Sequence, residues 1–285
     1  MGNRHDAREL MSSRIFRKHV AIPQDHGSWV FILSPLVIGI FAGETFNYAT
    51  FNLIVAAMAA FMLRQPMTVM VKILSGRRAN EDLRSARFWI VLYGFGALLA
   101  LTGLILEGFA FVLYLAGPGL LVFAWYLWLV SQREERKQAS METLATGVLS
   151  LAAPAAYWVG IGRYDPVGWW LWILVWMQTA ASIVYAYLRL EQRNLESPPA
   201  RGELWRLGFR AASYTSFNLV SSLTLGLVSV LPALIFIPYL LQWMETMWGI
   251  IHPAIGWKPT RIGIRQLSVS AMWTVLFILV WTLDE

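Results

Sequence analysis

Apolar blocks of roughly 17 to 25 residues, about the thickness of a hydrocarbon core, recur along nearly the whole chain with short polar breaks between them. Read as helices, the blocks predict nine membrane crossings, at about 27–43, 47–63, 88–106, 109–130, 141–161, 168–188, 209–228, 231–250 and 266–283. Long polar stretches, 64–87 and 189–208, follow the second and sixth crossings, and shorter ones fill 131–140 and 251–265. The seventh and eighth crossings are nearly continuous. They part at Ser229 to Pro232, where proline removes a backbone donor and favours a turn. The expected fold class is all-α: a polytopic membrane helix bundle with residues 1–22 as a basic cytoplasmic segment and 23–285 as a single nine-helix transmembrane domain.

Charge orients this pattern. With nine crossings, 22 of the 23 Lys and Arg residues fall on one side and only Arg163 on the other. Basic residues in short loops resist translocation and mark the cytoplasmic face. The N-terminus is therefore expected in the cytoplasm and the C-terminus outside, in the cytoplasmic (inner) membrane. Fusing crossings seven and eight would put the basic 251–265 loop outside, against that rule.

Only 14% of residues are charged and 57% are hydrophobic, against about a quarter charged in soluble domains. A net charge of +6 in a soluble protein would suggest nucleic acid. Here the charge sits in short loops and reads as positive-inside together with attraction to anionic lipid. No nucleic-acid partner is expected. The absence of Cys excludes disulfides, thiol chemistry and Cys-held metals. Residues 1–22 lack a signal peptide's apolar core, so the first crossing is expected as a retained anchor. The small residues Ala145, Gly147, Ala152, Ala153, Ala155 and Ala156 predict a central, closely packed fifth crossing. Gly117-Pro118-Gly119, Pro154 and Pro238 are expected to bend their helices.

The residues able to carry chemistry gather at the cytoplasmic ends. Asp25 and His26, beside Gly27, open the first crossing. Asp25 either meets a helix dipole or orients the imidazole at the mouth of a cavity, where it would move protons or bind an anionic head group. Arg64, Arg84, Arg87, Arg189 and Arg193 lie near the inside ends of crossings two, three and six. Arg64 and Arg189 directly follow apolar blocks, where guanidinium groups either clamp a lipid phosphate or snorkel to the interface. Glu245 lies in the eighth crossing, three residues from Gln242 and so on the same helix face. Gln178, Asn218 and Ser221 add polar groups at depth.

The opening segment Pro23-Gln24-Asp25-His26-Gly27-Ser28-Trp29 resembles the Pro-x-(Glu/Asp)-His-Gly-(Ala/Ser)-Trp opening of the YwiC-like membrane proteins. Further echoes are Leu63 to Pro66, Ala86 to Trp89, Leu151 to Tyr157, Ser182 to Tyr185 with Arg189, and Pro259 to Gly263. The resemblance implies a membrane protein. It points at residues without naming a reaction: Asp25 and His26 are the catalytic candidates, and Arg64, Arg87, Tyr157, Tyr185 and Arg189 are the candidates for binding substrate, joined by Glu245 from its place within the eighth crossing.

The layout, with long polar loops after crossings two and six, is also similar to the UbiA-type intramembrane prenyltransferases. That resemblance implies a UbiA-like arrangement and carboxylates in those loops holding Mg²⁺ against an isoprenoid diphosphate. The chain departs from the pattern. The first loop offers only Glu81 and Asp82, adjacent in sequence, and the second offers Glu191, Glu196 and Glu203 without an Asp. Adjacent carboxylates point to different faces and converge poorly on one ion. Glu81, Asp82 and Glu191 stay as candidate ligands for Mg²⁺, while ordinary Mg²⁺-dependent prenyl transfer is argued against.

The expected function is binding of an isoprenoid or lipid phosphate, in a cytoplasm-facing cavity between crossings one, two, six and eight. Asp25, His26, Arg64, Arg189 and Glu245 would stand at its mouth. If there is an enzyme here, it is a divergent UbiA-like transferase. The alternatives are a transporter and a non-catalytic subunit or assembly factor of a membrane complex.

Overall fold

A computed structural model of the protein describes residues 16–23, 26–134 and 139–283. Asp25 lies outside them, as do the side chain of His26 and the last two residues. Every regular element among the described residues is helical. The elements are α1 (Lys18–Ala21), α2 (Val30–Ala42), α3 (Tyr48–Leu74), α4 (Leu83–Leu106), α5 (Ala116–Gln132), α6 (Ala139–Ser150), α7 (Ala152–Ile161), α8 (Val167–Gln192), α9 (Arg201–Leu227), α10 (Phe236–Ile251) and α11 (Pro259–Leu283). Short 3₁₀ turns at His26–Trp29, Asn80–Asp82 and Ala110–Leu115 lead into α2, α4 and α5.

Each expected crossing contains a helix. Six segments among the described residues are long and apolar enough to cross a membrane: Tyr48–Leu74, Asn80–Leu106, Ala110–Gln132, Ser140–Ile161, Val167–Gln192 and Pro259–Leu283. The Gly27–Ala42 segment is apolar but shorter. The 16-residue α10 is also short, and α9 is long but begins with Arg201, Glu203, Arg206 and Arg210.

Helix ends correct the sequence reading in three places. The second crossing does not stop at Leu63. Asn47 caps α3 by accepting from the Thr50 amide at 2.8 Å, and the helix then runs unbroken through Arg64 and Pro66 to Leu74. Pro66 is tolerated inside it, as membrane helices permit. The sixth crossing continues past Arg189 to Gln192. The last helix begins at Pro259 rather than Gln266, which turns half of the expected 251–265 loop into helix. Proline at the first helical position fits, because its missing N–H would be unpaired there anyway. Pro238 likewise sits in the first turn of α10 and bends nothing. Pro154 does break its segment: α6 and α7 are separate helices parted at Leu151, since Pro154 offers no donor to the ladder.

The helices fall into two compact units. The first holds α1, α3, α4 and α5, with α4 packed along α3. Val20, Val69, Ile73 and Ala86 form a small core there under Trp89. The outer side of α4 carries exposed Val91, Leu92, Phe95, Leu98 and Leu99, as a lipid-facing helix should. In the same unit Asp82 receives Arg17 at 2.6 Å, Arg78 at 2.5 Å and His19 at 3.2 Å.

The second unit holds α2 and α6 to α11 around α8. Leu171, Leu174, Val175, Ala181, Tyr239, Trp273 and Phe277 are fully buried in it. In the Ser140–Ile161 segment 72% of an 18-residue apolar stretch is buried, the close packing that its small residues predict. It receives α2 through glycine. A Cβ on Gly39 would collide with the Ala153 carbonyl and stand 2.8 Å from Ala156 Cβ, and Gly43 lies against Gly160. Small residues on both helices let the backbones touch.

Candidate functional site

The second unit carries polar groups at two levels along α8. The upper level is a hydrogen-bonded layer. Gln242 on α10 donates to the Gln178 carbonyl at 2.9 Å and to the Ser182 hydroxyl at 3.1 Å. Gln178 in turn reaches Ser182 at 3.1 Å and Ser270 of α11 at 3.4 Å. Asn218 of α9 donates to the Met177 carbonyl at 2.7 Å. Gln178 and Asn218, expected as polar groups at depth, thus join Gln242, Ser182 and Ser270 in tying α8, α9, α10 and α11 to one another.

One to two turns further along α8 lies an ionic cluster. The Glu245 carboxylate accepts the Tyr185 hydroxyl at 2.9 Å. Arg265 clasps both of its oxygens, Nε to Oε1 at 2.6 Å and Nη2 to Oε2 at 2.8 Å. The Glu245 side chain is 11% exposed, so this two-point, charge-assisted contact lies largely out of water. The Arg265 guanidinium rests 3.8 Å above the Trp248 ring. Gly249 permits the arrangement, since a Cβ there would run into the Tyr185 hydroxyl.

Arg189 sits beside this cluster and is 1% exposed, so it does not snorkel. Its Nη1 donates to the carbonyls of Gly249 at 2.6 Å and His252 at 2.7 Å and to Gln192 Oε1 at 2.9 Å. Gly249 and His252 are at the C-terminal end of α10, where carbonyls lack intrahelical partners. The guanidinium thus caps α10 and meets the negative end of its dipole. The rings of Tyr185, Trp248 and Trp257 stand 5.1 to 5.9 Å from it. Nη2 is buried with no hydrogen-bond partner among the described residues.

Where α11 begins, an open groove of about 610 Å³ is lined by Trp257, Lys258, Thr260, Arg261, Ile264 and Arg265, with Gly256 at its edge. Arg261 lies 4.0 Å above the Trp257 ring. Lys258 and Arg261 are exposed, and among the described residues no carboxylate pairs with either. A cationic wall, an indole face and an apolar flank meet in one concavity.

Of the residues expected at the site, Tyr185, Arg189 and Glu245 come together here. Arg64 and Arg87 belong to the other unit, where Arg64 stands 5.3 Å from the Tyr126 ring and Arg87 is exposed on α4. Tyr157 is buried on α7, its carbonyl facing Gly43. Asp25 and the His26 side chain fall outside the described residues. Glu81 and Asp82 lie in the first unit, with Asp82 held by arginines, and Glu191 lies in the second. Among the described residues no group of three or more His, Asp or Glu is arranged to hold a metal.

Sequence reasoning missed Trp257, Lys258, Arg261 and Arg265 as site residues. The signal was present: Lys258, Arg261 and Arg265 are spaced three and four apart, one helix face, beginning next to a proline. Counting them only as positive-inside charges hid that face.

Residues 22–157 match the family model described as YwiC-like protein. The resemblance carried by the opening motif therefore holds from that motif into α7. The ionic cluster and the groove lie beyond the matched stretch, as do the echoes at 182–189 and 259–263. No curated protein and no solved structure matches the chain.

Proposed function

We propose that this multi-pass membrane protein binds an amphiphile with an anionic phosphate head and an apolar tail, an isoprenoid or lipid phosphate. The head would sit in the groove at the start of α11. The observation that carries this reading is the concentration of Lys258, Arg261 and Arg265 beside Trp257 and Ile264 in an open concavity of about 610 Å³. Guanidinium and ammonium groups suit phosphate oxygens, and the indole and apolar side chains suit the first methylenes of a tail. The Tyr185–Glu245–Arg265 network and the Arg189 cap on α10 would hold the groove's floor in place. Part of the same proposal is the nine-crossing topology with a cytoplasmic N-terminus. It puts the groove at the cytoplasmic surface, where such lipids are reached from the aqueous side.

The test is mass spectrometry of lipids that copurify with the protein, beside a Lys258→Ala/Arg261→Ala double variant. A phosphate amphiphile enriched over bulk lipid in the native protein and lost from the variant supports the reading. Identical bulk lipid in both preparations overturns it.

A further inference from the structure

The cations lining the groove are not equivalent. Arg265 is committed, since both Glu245 oxygens take its N–H groups at 2.6 and 2.8 Å. Arg189 is buried and does not line the groove, and its Nη1 donates to the carbonyls that end α10. Lys258 and Arg261 keep theirs, being exposed and facing no carboxylate among the described residues. Among the described residues the groove's lining therefore carries two cations without a carboxylate partner, with Arg261 held in place by its contact with Trp257 at 4.0 Å.

A head group matches that count when it is a dianion. A phosphate monoester carries about −1.5 to −2 near neutral pH. A phosphodiester, the head of ordinary bulk phospholipids, carries about −1, and a diphosphate carries more than either. Resting on the amphiphile reading above, we infer that the groove selects a terminal phosphate monoester, and that Glu245 sets this preference by cancelling Arg265. Glu245 is thus a residue that chooses head-group charge from behind the groove. Replacing it by the isosteric glutamine keeps an acceptor for Tyr185 and releases a third positive charge.

The experiment measures binding of three ligands with one tail: farnesyl methyl phosphate, farnesyl phosphate and farnesyl diphosphate. It uses the full chain in nanodiscs at pH 8, where the monoester is fully ionised. The native protein is expected to prefer the monoester to the methyl diester by roughly tenfold or more, the factor of one charge-assisted hydrogen bond. Glu245→Gln is expected to move the ratio of diphosphate to monoester affinity up by about tenfold. Lys258→Gln, at an exposed position, is expected to erase the advantage of monoester over diester. The double variant Glu245→Gln/Arg265→Gln keeps a neutral hydrogen-bonded pair and two groove charges, so it is expected to keep the native order. That variant also serves if the single Glu245 change unfolds the protein, because loss of the native order in it overturns the assignment. Binding of all three ligands with no dependence on charge refutes this inference and leaves the amphiphile reading standing. No binding by any of them refutes the amphiphile reading itself.

Discussion

The contact of α2 with α7 allows a sharp test, because it depends on the absence of single atoms. Gly39→Ala adds a Cβ that would meet the Ala153 carbonyl and stand 2.8 Å from Ala156 Cβ, against Ala153 at 0% exposure. Neither neighbour is the end of a flexible side chain. One is backbone and the other is a methyl fixed to it, so α2 must retreat. A retreat of about 0.5–1 Å forfeits a quarter to a half of each van der Waals well. With about 20 atom pairs across the contact, each worth about 0.15 kcal/mol, the dispersion loss is roughly 1 kcal/mol. Overpacking strain of about 1–3 kcal/mol adds to it. The hydrogen bond from Thr45 to the Gly160 carbonyl, at the same helix pair, would loosen too. The expected destabilisation is about 2–4 kcal/mol. Gly94→Ala on α4 is the matched control, since a Cβ there meets nothing within 4 Å and replaces glycine with a better helix former. Unfolding in mixed micelles titrated with dodecyl sulfate, followed by tryptophan fluorescence, measures both. If Gly39→Ala is no less stable than Gly94→Ala, the glycine-mediated contact of α2 with α7 is wrong.

Asp82→Asn removes the charge that Arg17, Arg78 and His19 share, at a side chain 7% exposed. It is expected to cost about 2 kcal/mol and to speed tryptic cleavage at Arg17, read by mass spectrometry of limited digests. Arg189→Leu leaves the His252 carbonyl uncapped and the Gly249 carbonyl with only the Gln192 amide at 3.2 Å, and a loss of about 2–3 kcal/mol is expected in the same micelle titration. Arg189→Lys should recover only part of it, because an ammonium lacks the guanidinium plane that stands among the rings of Tyr185, Trp248 and Trp257. A reporter joined after Glu285 is expected to be dark as a green fluorescent protein and active as an alkaline phosphatase. The opposite result would make the number of crossings even.

Membrane character, the places of the helices and their polar breaks were legible in the sequence, because each depends on local hydropathy and length. The close packing of the Ser140–Ile161 segment was legible as well: Ala153, Ala155 and Ala156 announce close approach whatever the partner is. The termini of α3, α8 and α11 were not, because polarity marks where apolar solvent ends and not where the backbone leaves the helix. Arg64 and Arg189 carry the same local signature, a guanidinium just past an apolar block. One lies near the Tyr126 ring and the other is buried under the end of α10.

That divergence separates what each level decides. The sequence alone determined that the chain is built of apolar helices separated by polar breaks, since transfer from water to hydrocarbon acts on each segment by itself. Only the tertiary structure decided that Glu245 meets Arg265, twenty residues away, and that Lys258 and Arg261 face no carboxylate among the described residues. Pairing depends on which helix faces meet, and that is set by packing between segments distant in the chain, where no local pattern records the partner.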